Sequence, residues 1–302
     1  MKKWIYTFPL ILITFSAYGQ NTDKFTGSLL WRITGNGLEQ PSYIFGTHHL
    51  AEISFAQNYP GFNEALESAG QVVGELLMAD KTGLQNEIMR HAVITDGTTY
   101  RTLLPEEDYN ALNEALRRDL GTGLDQLGAL KPAMISTLYS QRIYARVMPE
   151  FNPLTHISID QYVQETATRQ RKKVIGLETV EDQIQVLFYS ESLEEQARSL
   201  ACMAGNLHST EQSVLTLNEC YANGDLYGAY ALSLDNPDDP CRMSEASAQA
   251  LLNKRNDHWM EQLPGIMADG ASFVAVGMLH LCGEEGLRYR LDQLGYTVEP
   301  VQ

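Results

Sequence analysis

Short apolar runs alternate with long stretches of helical period along the 302-residue chain. Residues 28–34 and 42–45 read as strands, and Gly35-Asn36-Gly37 between them is a strong turn signal, so the two should form a β-hairpin. Residues 71–77 make the next apolar run, with one charge, Glu75, inside it. Further strand-like runs fall at 172–179, 272–276 and 296–299. Helical spacing governs the rest. Phe62, Ala65, Leu66 and Ala69 share one face before Gly70 stops that helix. Pro105 and the acids after it start another, with Tyr109, Leu112, Leu116 and Leu120 as its apolar stripe. Residues 158–168, 180–223, 244–263 and 283–294 follow the same period. Pro237 to Pro240 breaks the last long helical span. The pattern predicts an α/β (or α+β) fold over residues 20–302 as a single domain. Its central mixed sheet carries long helical insertions at about 82–170 and 180–263.

Residues 1–19 read as a signal peptide rather than as fold. Lys2 and Lys3 precede an apolar stretch at 4–15, and Ala17-Tyr18-Gly19 is a small-x-small cleavage pattern. An exported protein, periplasmic or secreted, is therefore expected, with no other apolar segment long enough for stable membrane insertion once the leader is removed. The net charge of −16 excludes nucleic acid and anionic membranes as natural partners. Four cysteines in an exported chain permit disulfides. A bridge within the three in 202–241 is expected, for example from Cys202 or Cys241 to Cys220, but the sequence does not fix the pairing. Cys282 reads as a buried small residue. Nothing in the sequence fixes the oligomeric state.

Chemistry concentrates where strands end. Tyr43-Ile44-Phe45-Gly46-Thr47-His48-His49-Leu50 and Val274-Ala275-Val276-Gly277-Met278-Leu279-His280-Leu281 are two copies of an apolar run followed by Gly-x-x-His-Leu. Gly46 and Gly277 would let the backbone turn tightly where a side chain would clash, placing His49 and His280 at the C-terminal sheet edge, where α/β proteins bind ligands. Glu75 is costly inside an apolar strand unless paired or metal-bound, which makes it the most telling acid in the chain; it could instead be a core acid paired to an arginine such as Arg32. Glu178 reads equally as a helix cap and as a site residue. His48 should point away from His49 and support it. His91, His156, His208 and His258 have no partner spacing and read as ordinary surface or core histidines. Two imidazoles and a carboxylate suit either divalent metal (Mn, Co or Zn) or metal-free acid–base chemistry. No Gly-x-Ser-x-Gly, His-Glu-x-x-His, P-loop or Gly-x-Gly-x-x-Gly occurs.

Taken together, several segments resemble the TraB/PrgY/GumN family, which includes the Tiki-type metalloproteases. They are Leu30-Trp31-Arg32 with the first motif, Val72-Val73-Gly74-Glu75, Gly176-Leu177-Glu178-Thr179, Arg255-Asn256 with Trp259, and the second motif through to Gly295-Tyr296-Thr297-Val298. The resemblance implies an α/β fold akin to erythromycin esterases and ChaN haem-binding proteins. It also implies that His49, Glu75 and His280 are the activity-associated positions. Arg255 would orient a site carboxylate or bind a substrate anion. The expectation is an exported, metal-dependent hydrolase, a peptidase acting on a peptide or protein substrate. Its rival is a non-catalytic binding protein that sequesters a peptide, a haem-like ligand or a metal.

Overall fold

The computed structural model describes residues 27–236 and 239–301, so the leader expected over 1–19 lies outside the described residues. Six strands, β1 (Leu30–Gly35), β2 (Ser42–Thr47), β3 (Gln71–Gly74), β4 (Lys173–Gly176), β5 (Ser272–Gly277) and β6 (Tyr296–Pro300), form one sheet in the order β4-β3-β5-β2-β1-β6. The fold is α/β with a central mixed sheet. The strands β4, β3, β5 and β2 run parallel, while β1 is antiparallel to both β2 and β6. The hairpin between β1 and β2 forms as its turn signal requires, with Gly35, Asn36 and Gly37 all at positive φ.

The parallel block reads as near-continuous apolar sequence because both of its faces are covered. Phe45, Val72, Val73, Phe273 and Val274 are buried in the main core. Helices at Phe62–Ser68, Ile159–Arg169 and Lys254–Asp269 bury apolar faces in the same core. The two insertions share a second core. There Leu112 and Leu116 of the helix Glu106–Leu120 meet Ile135, Tyr139 and Leu200. Each such buried leucine contributes about 1.5–3 kcal/mol. Asp119 ties this layer together from inside, accepting from Tyr139 (2.7 Å) and Arg118 (2.6 Å).

Two expectations about elements are corrected. The strand containing Glu75 stops at Gly74, so Glu75 begins the turn beyond β3 rather than sitting in a strand interior. The helical span read from 244 to 263 is longer and less regular: a short helix, a π-helical turn at Gln249–Asn253, and the helix Lys254–Asp269, which continues through Pro264. Proline's fixed φ fits a helix even though its nitrogen cannot donate. Buried Leu263 and Met267 hold the face on either side of it.

The disulfide falls within the expected set and settles the pairing left open. Cys202 pairs with Cys241, while Cys220 and Cys282 are free. Cys220 lies on the helix Leu207–Ala222, beside Gly228, and is out of the bridge. Cys282 is buried, as expected. The bridge spans 39 residues and fastens the helix Leu193–Gly205 to the segment leading toward Lys254–Asp269. Replacing both cysteines by serine should lower stability by about 2–4 kcal/mol. Denaturant unfolding of the oxidised protein and the double variant checks this, and equal midpoints would refute it. Among the described residues, no helix is long and apolar enough to cross a membrane.

Candidate active site at the sheet edge

Every strand of the parallel block ends at or next to a glycine, and a polar residue follows within three positions. Register makes this a single edge. Thr47 is level with Gly277, and Gly74 is level with both Ala275 and Gly176. His49, His280, Glu75 and Glu178 are thus delivered side by side from β2, β5, β3 and β4. The motif glycines avoid a side-chain clash, as expected, but not through a left-handed turn. Gly277 has φ −51°, an ordinary value, and Gly46 is not at positive φ. What both need is room. A Cβ on Gly46 would lie 3.0 Å from Met278 Cβ and 3.1 Å from Leu281 Cδ1. On Gly277 it would lie 3.3 Å from Glu75 Oε1. Each glycine permits the close approach of a partner in the site.

Arg255 stands at the centre of the buried half of the site. It donates from Nε to Glu178 Oε2 (3.0 Å), and from Nη2 to Glu178 Oε1 (2.6 Å) and Glu75 Oε2 (2.6 Å). Its Nη1 donates to the Leu251 carbonyl (3.1 Å) and to His280 Nε2 (3.0 Å). Those five bonds use all five guanidinium hydrogens. Arg255 therefore orients carboxylates, and has no donor left for a substrate anion. Leu251 belongs to the π-helical turn just before it, an irregularity often found at functional sites. Trp259, one turn further, lies beneath the guanidinium (4.7 Å) and against His280 (4.3 Å between ring centroids).

Glu75 is paired with Arg255, not Arg32, which is exposed. Its second oxygen accepts the Gly277 N–H at 2.7 Å. Burial alone would raise its carboxyl, but His280, Arg255 and the Gly277 amide together hold it well below the usual carboxylate range. Glu178 is not the helix cap: it receives Arg255 and Gln183 (3.0 Å), while Thr179 and Asp182 form the capping box of the next helix. His280 is 3% exposed, and burial pushes its imidazole well below the ordinary value. Asn256 accepts from its Nδ1 at 2.7 Å.

His49 has the opposite surroundings. Its side chain is 64% exposed, yet its Nδ1 lies 3.0 Å from Asp160 Oδ2, a carboxylate only 11% exposed. The charge of Asp160 raises the imidazole to about 9, against the opposing effect of burial, and the charges of Glu75 and Arg255 also reach it. Water screens part of that pull at so open a ring. Asp160 Oδ1 accepts from Thr47 at 2.8 Å. His156 donates from Nε2 to the His49 carbonyl at 2.8 Å. His48 turns away, as expected, to pack beside Tyr144 and Tyr221.

Asp160 and His156 were not picked out in the sequence. Asp160 sits two residues after the Ser158 cap, where an acid is accounted for by the helix dipole. His156 lies in a loop with no partner spacing to mark it.

As arranged, His49, Glu75 and His280 do not fit a metal ion. The guanidinium already occupies the cation position between Glu75 and His280, and takes the His280 Nε2 lone pair that a metal would need. Among the described residues, no group of three or more His, Cys, Asp or Glu is arranged to hold one.

A search of curated proteins returned no match, and a search of solved structures returned none either. The profile of the TraB/PrgY/gumN family matches residues 29–300, which takes in all six strands and every residue of this edge. The chain belongs to the TraB/PrgY/gumN family.

Proposed function

We propose that the protein is an exported hydrolase of peptide-like substrates in which His49 transfers the proton. One observation carries the reading: His49 is the titratable member of the sheet-edge set that is open to solvent, and a largely buried carboxylate grips it from behind. Glu75 and His280 are buried and already engaged with Arg255. In the neutral state His49 Nε2 takes a proton from water as the water oxygen attacks a substrate carbonyl. It then returns that proton to the departing amine as the C–N bond breaks. Asp160 stabilises the imidazolium formed between these steps. The fixed anion of Glu75, held by Arg255 and Gly277, adds a negative potential that favours the same charged state. No step is assigned to a metal. The peptide substrate class rests on the resemblance to Tiki-type enzymes. Export rests on the leader pattern and on the Cys202–Cys241 bridge, which suits an oxidising compartment.

A binding protein remains the second reading, favoured by one fact. The Arg255 network is fully satisfied without a ligand, as a site built for holding rather than turnover would be. The deciding experiment incubates the purified protein with a mixed peptide library, with and without chelator, and follows cleavage by mass spectrometry. Cleavage that survives chelation and is lost in His49→Asn is the expected result. Binding without cleavage would establish the second reading, and cleavage abolished by chelation would overturn the metal-free mechanism.

A further inference from the structure

The twin motifs end in imidazoles that meet different acceptors at the same ring atom. Asn256 donates its amide hydrogens to the carbonyls of His280 (3.2 Å) and Glu285 (2.8 Å). Its oxygen therefore faces His280 Nδ1, and that nitrogen must carry a hydrogen. The lone pair of His280 is then on Nε2, where Arg255 Nη1 donates to it. At His49 the acceptor is Asp160, whose other oxygen is taken by the Thr47 hydroxyl. An ionised carboxylate has no hydrogen to give, so Nδ1 of His49 carries one too. Nε2 of His49 has no hydrogen-bond partner among the described residues and is the nitrogen left for a ligand.

We propose that Asp160 and Asn256 are positioning residues that give the two motifs one orientation and two charge states. Both turn Nε2 toward the site. The carboxylate makes His49 the ring that holds a proton, and the neutral amide keeps His280 the ring that does not. Neither residue is asked to touch substrate. Each comes from a different helical insertion, Asp160 from Ile159–Arg169 and Asn256 from Lys254–Asp269. The insertions thus do more than cover the sheet, since each supplies the acceptor that sets one motif's chemistry. Two copies of one sequence pattern become an unequal pair through residues that lie outside the pattern. This division deepens the hydrolase reading and rests on it only for its catalytic consequence.

Ring protonation is read directly by long-range 1H–15N correlation spectra of the full-length protein at neutral pH. The signals are assigned with His49→Asn and His280→Asn. His49 should show both nitrogens protonated, and His280 a hydrogen on Nδ1 alone. Asp160→Asn should convert His49 to the neutral form with hydrogen on Nδ1 and leave His280 unchanged. Asn256→Asp should add a proton to His280. Hydrogen on Nε2 of His280 in the wild type, or a His49 pattern indifferent to Asp160→Asn, would overturn the proposal. The wild-type spectra decide the first point even if a variant does not fold. Because no substrate is present, a protein that cleaves nothing but shows these patterns would refute the hydrolase reading and leave this one standing.

Discussion

Replacing Arg255 with methionine should be the most damaging single change to stability. It leaves Glu75 and Glu178, each 8% exposed, buried beside one another with no cation between them. Removing one partner of a buried ionic set costs about 3–5 kcal/mol, because the remaining charges are desolvated and unpaired. For a domain of this size that corresponds to a fall in melting temperature on the order of 10 °C. The pH dependence identifies the cause. In the wild type the Glu75 carboxyl is held below its unfolded value. Its contribution is therefore fully present above the unfolded carboxylate range and is lost as pH falls toward the folded value. In Arg255→Met, burial and the neighbouring Glu178 are opposed only by the charges of His280 and His49 and by the Gly277 amide, so the Glu75 carboxyl moves up and acid costs the variant less than the wild type. The gap between the two melting temperatures should be wide at pH 7 and close toward pH 4. A gap that stays constant with pH would show that Arg255 stabilises through packing on Trp259 instead. Arg255→Lys should recover only part of the loss, because an ammonium cannot fork between two carboxylates.

His49→Asn should have the largest effect on activity. The asparagine amide can still donate to Asp160, while the group that exchanges a proton is gone. Hydrolysis should fall by roughly 10²–10⁴-fold. The fold should hold, since the side chain is mostly exposed. In the wild type the base must be neutral, so the rate should rise with pH through about 9, the value to which Asp160 raises the imidazole. With Asp160→Asn that limb should move down toward the ordinary histidine range. Stability has the reverse sign. A raised folded value means that the His49–Asp160 pair contributes fully below the unfolded value near 6.5 and is lost as pH climbs through about 9. Rate profiles and melting curves over pH 6–10 check both. An acid limb unmoved by Asp160→Asn would separate His49 from the rate.

The sheet edge was legible because the parallel strands announce their ends. Gly46, Gly74, Gly176 and Gly277 each follow an apolar run and precede a polar residue, and that combination is visible without coordinates. The need for room at the motif glycines was visible, but not which chain segment each must accommodate. Long-range pairing was equally hidden. Arg32 was a candidate partner for Glu75, but β1 lies three places from β3 in the sheet, and the actual partner is 180 residues away in sequence. Asp160 was masked by a sufficient local explanation, an acid in the first turn of a capped helix. The disulfide was confined to the correct stretch, and the fold brings Cys241 rather than Cys220 to Cys202. Sequence pattern specifies which residues reach the edge. Which of them face one another depends on how the insertions fold over it.

Metal titration against thermal stability most directly tests the claim that a guanidinium fills the cation position between Glu75, Glu178 and His280. The protein is stripped with chelator, and its melting temperature is followed as Mn²⁺, Co²⁺ or Zn²⁺ is added, beside Glu75→Gln and His280→Asn. With Arg255 in place, any metal-dependent shift should be the same in all three proteins, because no ion is held by these side chains. A stabilisation present in the wild type and lost in both variants would place a metal where Arg255 now stands, and would contradict the arrangement described.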